Sequence, residues 1–432
     1  MIGLALLLGA ALAGTAGSAG MAGEPESLGV SAVAGLPETV TLEQVLQLLR
    51  EKSPRSAAER ALVEVARAGV VAAGVLPNPS FDYGWNHLVS GTNTGSATVN
   101  QLAADQPLLL FGQRRQRRRS AELGVRLAES RFAESYAERA REARERFTSL
   151  LARQEKQQLL EESSEDLRRV ARVVEKRAEA GDRSRYDALR IEVEAREVQT
   201  ALADARADVE DASGRLAALL GFPEWRPRAV GELRPAAPGD PNYIDTADIE
   251  GLWSRAQQLR PALVAAKRSE AAARADLDLA RRERLPVPVL SAGAALGQDA
   301  GNTTAVAGLS FPLPLFDRGQ GPIARARAQQ HAAELELQAL REESHAELQR
   351  SVAVLERRRE AMAELEKQVM ERLPEMRRMA EDAYREGQGG ILELLDALRS
   401  LTSVRQIHLD DLEAVKLAEI DSLFLAGMID TD

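Results

Sequence analysis

The sequence predicts a mainly α-helical protein carrying two β-hairpins, built as a duplicated unit of helix, hairpin, long helix and helix. Three observations carry that prediction. Ala, Glu, Arg and Leu dominate in helical spacing, with charged residues at 28% and aromatics at only 4%, a composition of long helices and coiled coils rather than ordinary globular packing. Two short stretches break the helical pattern with strand-like character. The same landmarks then recur, in the same order, in both halves of the chain.

The recurrence is explicit in the residues. "LPNPSF" from Leu76 is matched by "LPVPVL" from Leu285, and "QPLLLF" from Gln106 by "FPLPLF" from Phe311. "SPRSA" from Ser53 is matched by "RPALV" from Arg260, and "AGDRSRYDALR" from Ala180 by "EGQGGILELLDALR" from Glu386. All four pairs are offset by about 205 to 209 residues, and four landmarks at nearly one offset indicate an internal duplication. The repeats span 41–222 and 247–428, joined by a Pro-rich linker at 223–246.

Each repeat reads alike. In the first, Thr41 is the expected N-cap of "TLEQVLQLLREK". Helices follow at about 54–74, 113–180 and 184–220, around a hairpin at about 77–111. In the second, the helices are expected at about 260–284, 320–386 and 390–425, around a hairpin at about 286–316. At about 1.5 Å per residue the two longest helices would each reach about 100 Å. Helices of that length pack sideways in coiled-coil fashion.

The hairpins hold the aromatics. In "SFDYGWNHLV", Phe81, Tyr83, Trp85 and His87 alternate with Ser80, Asp82, Gly84 and Asn86, and period two means strand. The other three strands alternate less clearly. Strands of about ten residues cross a bilayer when tilted, although a soluble hairpin has the same length. Four strands cannot close in lipid, so closure needs further copies of the chain. Two copies would give the smallest known barrels and three a wider pore. No run is long and apolar enough for a transmembrane helix.

The remaining composition excludes several classes of function. With no cysteine, the chain has no disulfide, no thiolate metal site, no cysteine nucleophile and no lipid attached through an N-terminal cysteine. The four histidines, His87, His331, His345 and His408, lie in no metal-ligand spacing, and no phosphate loop, nucleophile elbow or metalloprotease motif appears. No cofactor, metal or catalytic residue is expected. A net charge of -10 argues against nucleic acid, which needs a cationic face. The local run "RRQRRR" from Arg114 to Arg119 lacks interleaved aromatics and begins a helix directly after a strand. It reads as solvated charge, as salt bridges to neighbouring helices, or as a basic collar facing lipid phosphates. The leader "MIGLALLLGAALAGTAGSAGMAG" reads as a signal peptide at 1–22, cleaved after Ala22 or Ala13. An Ala/Gly leader on a cytosolic chain is the alternative.

With these residues in place, the chain resembles the TolC family of outer-membrane efflux ducts. The resemblance runs from about Thr41 to Gly427 and rests on the duplicated unit, on "LSFPLPLFDRGQ" closing the second hairpin, and on the Gly-bearing turn before "ILELLDA". It implies a homotrimer with a twelve-stranded outer-membrane β-barrel, a periplasmic α-helical barrel and an equatorial belt from the linker. It also implies two partners, a periplasmic adaptor and an inner-membrane pump, in a cell outer membrane location. "LPNPSFDYGW" is similar to the heavy-metal and cation efflux branch, which makes metal cations or drugs the expected cargo. A soluble coiled-coil scaffold or a periplasmic adaptor is the alternative.

The resemblance also implies sites. Asp187 and Tyr384 fall among the polar contacts that hold the periplasmic helix tips together, and Glu393 and Asp396 on the pore side of the constriction. These two acids share a helix face and in a trimer would form stacked acidic rings that favour cations. Acids in a first helical turn also complement the macrodipole. Gly181 and Gly387 mark the adaptor-docking turns. Phe81, Tyr83, Trp85, Phe111, Phe311 and Phe316 suit contact with outer-membrane lipid at the headgroup level. Pro312 and Pro314 end the sheet, and Pro322 is expected as the first residue of the long helix.

Overall fold

A computed structural model describes residues 36–92, 95–179, 184–298 and 302–429. The expected signal peptide and Gly181 lie outside the described residues. The first half runs β1 (Thr39–Val40), α1 (Leu42–Glu51), α2 (Pro54–Gly74), β2 (Ser80–His87), β3 (Thr98–Pro107), α3 (Gln113–Glu179) and α4 (Arg185–Leu220). After β4 (Arg228–Ala229) come α5 (Ile249–Leu259), α6 (Pro261–Glu283), β5 (Val289–Gly297) and β6 (Thr303–Ser310), then α7 (Gln320–Gln368), α8 (Leu373–Arg385) and α9 (Ile391–Leu425).

The helices form a layer ordered by α3. On one side α3 packs against α2 and α4, and on the other against α6 and α9, which in turn pack against α7. Its 67 residues give a length of about 100 Å. Buried positions recur at heptad spacing: Tyr136, Ala143 and Leu150, then Leu160, Leu167 and Val174. In α7 the same spacing buries Leu348, Leu355 and Met362. A strict heptad pattern winds helices into a left-handed supercoil, and the many alanines let the backbones approach closely.

Two matching joints turn four shorter helices into two more long columns. The end of α4 abuts the start of α2 at Gly221, whose φ of 90° is left-handed and where a Cβ would lie 2.7 Å from Pro54 Cδ. The end of α9 abuts the start of α6 at Gly427, φ 70°, where a Cβ would lie 2.6 Å from the Arg260 nitrogen. Each glycine closes its helix with the same pair of bonds. Gly221 N–H donates to Ala218 and Phe222 N–H to Ala217, while Gly427 N–H donates to Phe424 and Met428 N–H to Leu423. Only glycine fits both the left-handed turn and the contact. The four columns are therefore α4/α2, α3, α9/α6 and α7.

The linker is strapped across the middle of this layer. β1 and β4 pair in parallel, and the free edge of β4 is completed by Gln154 of α3. Its side-chain amide accepts from Ala229 N–H and donates to Ala229 C=O, both at 2.9 Å. On the other side the buried Glu419 of α9 accepts from Ala236 N–H at 3.0 Å and from Arg359 at 2.9 Å, and Arg359 donates to Ile244 C=O at 2.8 Å.

The structure departs from the sequence reading in three places. The helix expected at 320–386 ends at Gln368, passes through a 3-10 turn at Met370–Arg372 and restarts as α8. Pro374 explains the break: it has no N–H for the Met370 carbonyl, and its ring clashes with that carbonyl in a continuous helix. Pro322 is the third helical residue rather than the first, because Gly319 at φ 71° caps the helix. Helix α5 is not expected from the sequence and is started by Asp248, whose carboxylate accepts from Gly251 N–H at 2.9 Å.

Candidate functional site

Two regions carry the functional geometry: the hairpin sheet and the opposite, helical tip. The sheet is four-stranded and antiparallel in the order β2-β3-β5-β6. Directly paired residues share a face, so the register assigns every side chain. Phe81, Tyr83 and Trp85 sit opposite Ala104, Leu102 and Asn100. The row continues through Ala292, Ala294 and Leu296, and then through Ala307, Ala305 and Thr303. Gln106, Leu290 and Leu309 extend it at one end, and His87 with Thr98 at the other. The other face carries Ser80, Asp82, Gly84 and Asn86, then Asp105, Ala103, Gln101 and Val99, then Val289, Ser291, Gly293, Ala295 and Gly297, then Ser310, Gly308, Val306 and Thr304.

One face is thus aromatic and aliphatic, the other small and polar. The apolar face is bare: Phe81 is 71% exposed, Tyr83 63% and Trp85 60%. A sheet with one apolar and one polar face suits lipid on one side and water on the other. Several polar groups on the apolar side are paired. Tyr83 donates to Asn100 at 2.8 Å, His87 bonds Thr98 at 2.9 Å and stacks on Trp85. Phe111 and Phe316 flank the helical ends of the hairpins and are exposed, and Phe311 directly follows β6 and is also exposed. No helix among the described residues is long and apolar enough to cross a membrane.

The tip is where α3, α4, α8 and α9 meet. Tyr384 is buried there in one cluster with Leu167, Val174, Ile191, Ile391, Leu394 and Leu395. Asp187 lies in the first turn of α4, one turn before Ile191, and its half-buried carboxylate makes no ion pair with a described residue. The α8–α9 turn is set by Gly387 at φ 78°. Gly387 N–H donates to Tyr384 C=O and Gln388 N–H to Ala383 C=O, closing α8 as glycine closes α4 and α9.

Glu393 and Asp396 are both exposed on α9. They are not equivalent. Glu393 Oε2 accepts from Gly390 N–H at 2.5 Å and caps its own helix, whereas Asp396 makes no ion pair with any described residue. Gly389 leaves room for that cap, since a Cβ there would come within 3.0 Å of Glu393 Oε2. No group of three or more His, Asp or Glu able to hold a metal is present among the described residues.

Two ionic clamps at the tip were not anticipated from sequence. Arg377 of α8 reaches Asp166 of α3 at 2.6 Å and Glu381 at 2.8 Å, and Glu381 first, then Asp166, raise its pKa further above the ordinary guanidinium value. Arg399 of α9 holds the buried Glu194 of α4 together with Glu197 at 3.1 Å. The Glu194 hydrogen bond is the main cause of the rise in the Arg399 pKa. Glu194 carries the one sequence signal that could have revealed a clamp, an acid three residues after the buried Ile191 on the packing face of α4. Burying it unpaired would be costly.

The comparisons with known proteins agree with this geometry. The family described as Outer membrane efflux protein matches residues 45–222 and 252–426. The Cobalt-zinc-cadmium resistance protein CzcC of Cupriavidus metallidurans is 28% identical over 369 residues, 85% of each chain. The Campylobacter jejuni CmeC outer membrane channel has the same fold, with a TM-score of 0.73 at 14% identity over 90% of this chain and 86% of that one. So has the open state of the Neisseria gonorrhoeae MtrE outer membrane channel, with a TM-score of 0.68 at 18% identity over 90% of each chain. With both halves matched and a two-faced sheet mounted on long packed helices, the chain belongs to the outer membrane efflux protein family, non-enzymatic outer-membrane channels of tripartite efflux systems.

Proposed function

We propose that this chain is one third of a homotrimeric duct. The four-stranded sheets of three copies close into a twelve-stranded outer-membrane β-barrel, and their helical layers close into a periplasmic α-helical barrel. The observation supporting this most strongly is a pair of free edges in each layer. β2 and β6 each pair on one side only, and open edges in lipid leave backbone groups unsatisfied. The helical layer has free flanks on α4/α2 and on α7, where Leu62, Val65, Val71, Leu335 and Val354 are exposed. One rotation that sets β6 beside the next copy's β2 covers both layers at once. Three copies suit a duct better than two, because an eight-stranded barrel is filled by its own side chains.

The polar sheet face then lines the water path and the apolar face meets lipid. Secretion through the leader at 1–22 and docking of a periplasmic adaptor and inner-membrane pump at the turns marked by Gly181 and Gly387 complete the assembly. Metal cations are the cargo class favoured by the likeness to a protein named for cobalt, zinc and cadmium resistance. Three copies of Asp396, with the free oxygen of Glu393 beside it, would form an acidic constriction that favours cations. Tyr384 and Asp187 belong to the contacts that hold the helix tips together. Planar-bilayer recordings test the site: Glu393→Ala with Asp396→Ala is expected to change single-channel conductance and cation blockade, and unchanged values for both would refute the acidic constriction.

A further inference from the structure

The arginine run at the head of α3 takes no part in the sheet, the joints or the tip, and its setting is unusual. Arg114, Arg115, Arg117, Arg118 and Arg119 occupy the first two turns of α3, with no acid in the first turn. Cations at a helix N-terminus oppose the macrodipole, so helix formation does not explain them. A sequence that breaks a local rule this strongly generally does so for a function.

The structure gathers a second set of arginines at the same level. Arg114 donates to the Gly74 carbonyl at the end of α2, and Arg117 pairs with Glu283 at the end of α6 at 2.8 Å. Arg284 lies against Gly319, where a Cβ would come 3.0 Å from Arg284 Cβ. The ends of α2 and α6 and the starts of α3 and α7 therefore share one level, directly beneath the sheet. Some of these arginines are neutralised: Arg117 by Glu283, Arg118 by Glu122 and Arg281 by Asp278. Arg115, Arg119, Arg282 and Arg284 are exposed, and their side chains make no hydrogen bond or ion pair with any described residue. Immediately on the sheet side stand exposed apolar residues, with Leu110 at 65%, Leu313 at 74% and Phe316 at 92%.

We infer that this level is a phospholipid-binding collar, in which Arg115, Arg119, Arg282 and Arg284 engage headgroup phosphates of the leaflet facing the helices while Leu110, Leu313 and Phe316 contact the acyl boundary. The inference rests on the proposed reading of the sheet as a membrane barrel. Charge and position select this occupant. The chain is acidic as a whole, at -10, yet four cations without a charged partner stand together at the level where an apolar surface gives way to a charged one. A guanidinium matches the geometry of a phosphate with two donors, and an anionic surface attracts basic residues placed within a Debye length of it.

The full chain is purified in detergent, exchanged into mixed phosphatidylglycerol and phosphatidylcholine, and its retained lipids are counted by native mass spectrometry. The wild type is expected to retain phosphatidylglycerol in preference. Changing all four arginines to Gln should lower that preference at least about fivefold, while Arg341, Arg350, Arg358 and Arg372 changed to Gln on the helical body leave it intact. A wild type that inserts but retains both lipids alike, or a fourfold collar variant that keeps the preference, overturns the collar alone. A chain that stays in solution without detergent and takes up no lipid overturns the barrel reading and the collar with it.

Discussion

Ala294 and Ala295 are neighbours of identical chemistry on β5, and the strand register places them on opposite faces of the sheet. Ala294 pairs with Leu102 and Ala305, within the apolar row, whereas Ala295 pairs with Gln101 and Thr304. Lysine at each position measures which face meets lipid. Ala294 is five residues beyond Val289, the first residue of β5, or about 17 Å along the strand. At a tilt of about 40° it lies about 13 Å into an apolar band about 25 Å tall, close to its middle. A lysine facing lipid at that depth costs about 2–4 kcal/mol. At Ala295 the same side chain extends into the water path and costs little. Heat-modifiable migration on gels and urea unfolding from vesicles report the difference. Ala294→Lys is expected to lose at least about 2 kcal/mol relative to Ala295→Lys, a factor of about thirty in the folded-to-unfolded ratio. Equal behaviour of the two variants, or greater damage from Ala295→Lys, would refute the assignment of faces.

Two further predictions concern the helical layer. Gly427→Ala must adopt a left-handed backbone and also push its Cβ against the Arg260 backbone, 2.6 Å away, whereas Gly239→Ala, at φ 102° with nothing within 4 Å, meets only the first penalty. Apparent melting by circular dichroism at one scan rate should show Gly427→Ala lower by the equivalent of about 1–3 kcal/mol, and coincident melts would contradict the joint. Gln154→Leu strips β4 of both side-chain bonds to Ala229 and should cost about 1–3 kcal/mol. It should also speed proteolysis of the linker near Gly231, and wild-type cleavage rates would show that the strap is held by other contacts.

The duplication was legible because its landmarks include backbone devices, as where Pro54 and Pro261 start equivalent helices. The hairpins were legible as strands by length and turn composition. Their faces were not, outside β2, because β5 and β6 consist mostly of Ala, Gly, Ser and Thr, whose small difference in hydropathy hides a period of two. Only cross-strand register added the rows together. The helix break at Gln368 followed from a visible residue, Pro374, whose effect was masked by strong helical periodicity on both sides. The links from Arg377 to Asp166 and from Arg399 to Glu194 and Glu197 join residues more than about two hundred positions apart, in a chain rich in Glu and Arg where, apart from the place of Glu194 beside Ile191, no local spacing distinguishes a partner from a solvated charge.

The open edges of one chain are closed, in the proposed duct, by other copies of itself. Native mass spectrometry of the full-length protein, extracted from outer membranes in mild detergent, measures that copy number without reference to cargo or partner. A trimer, three times the mass of the mature chain, is the predicted result; a monomer that remains folded in detergent, or a closed dimer, would contradict it.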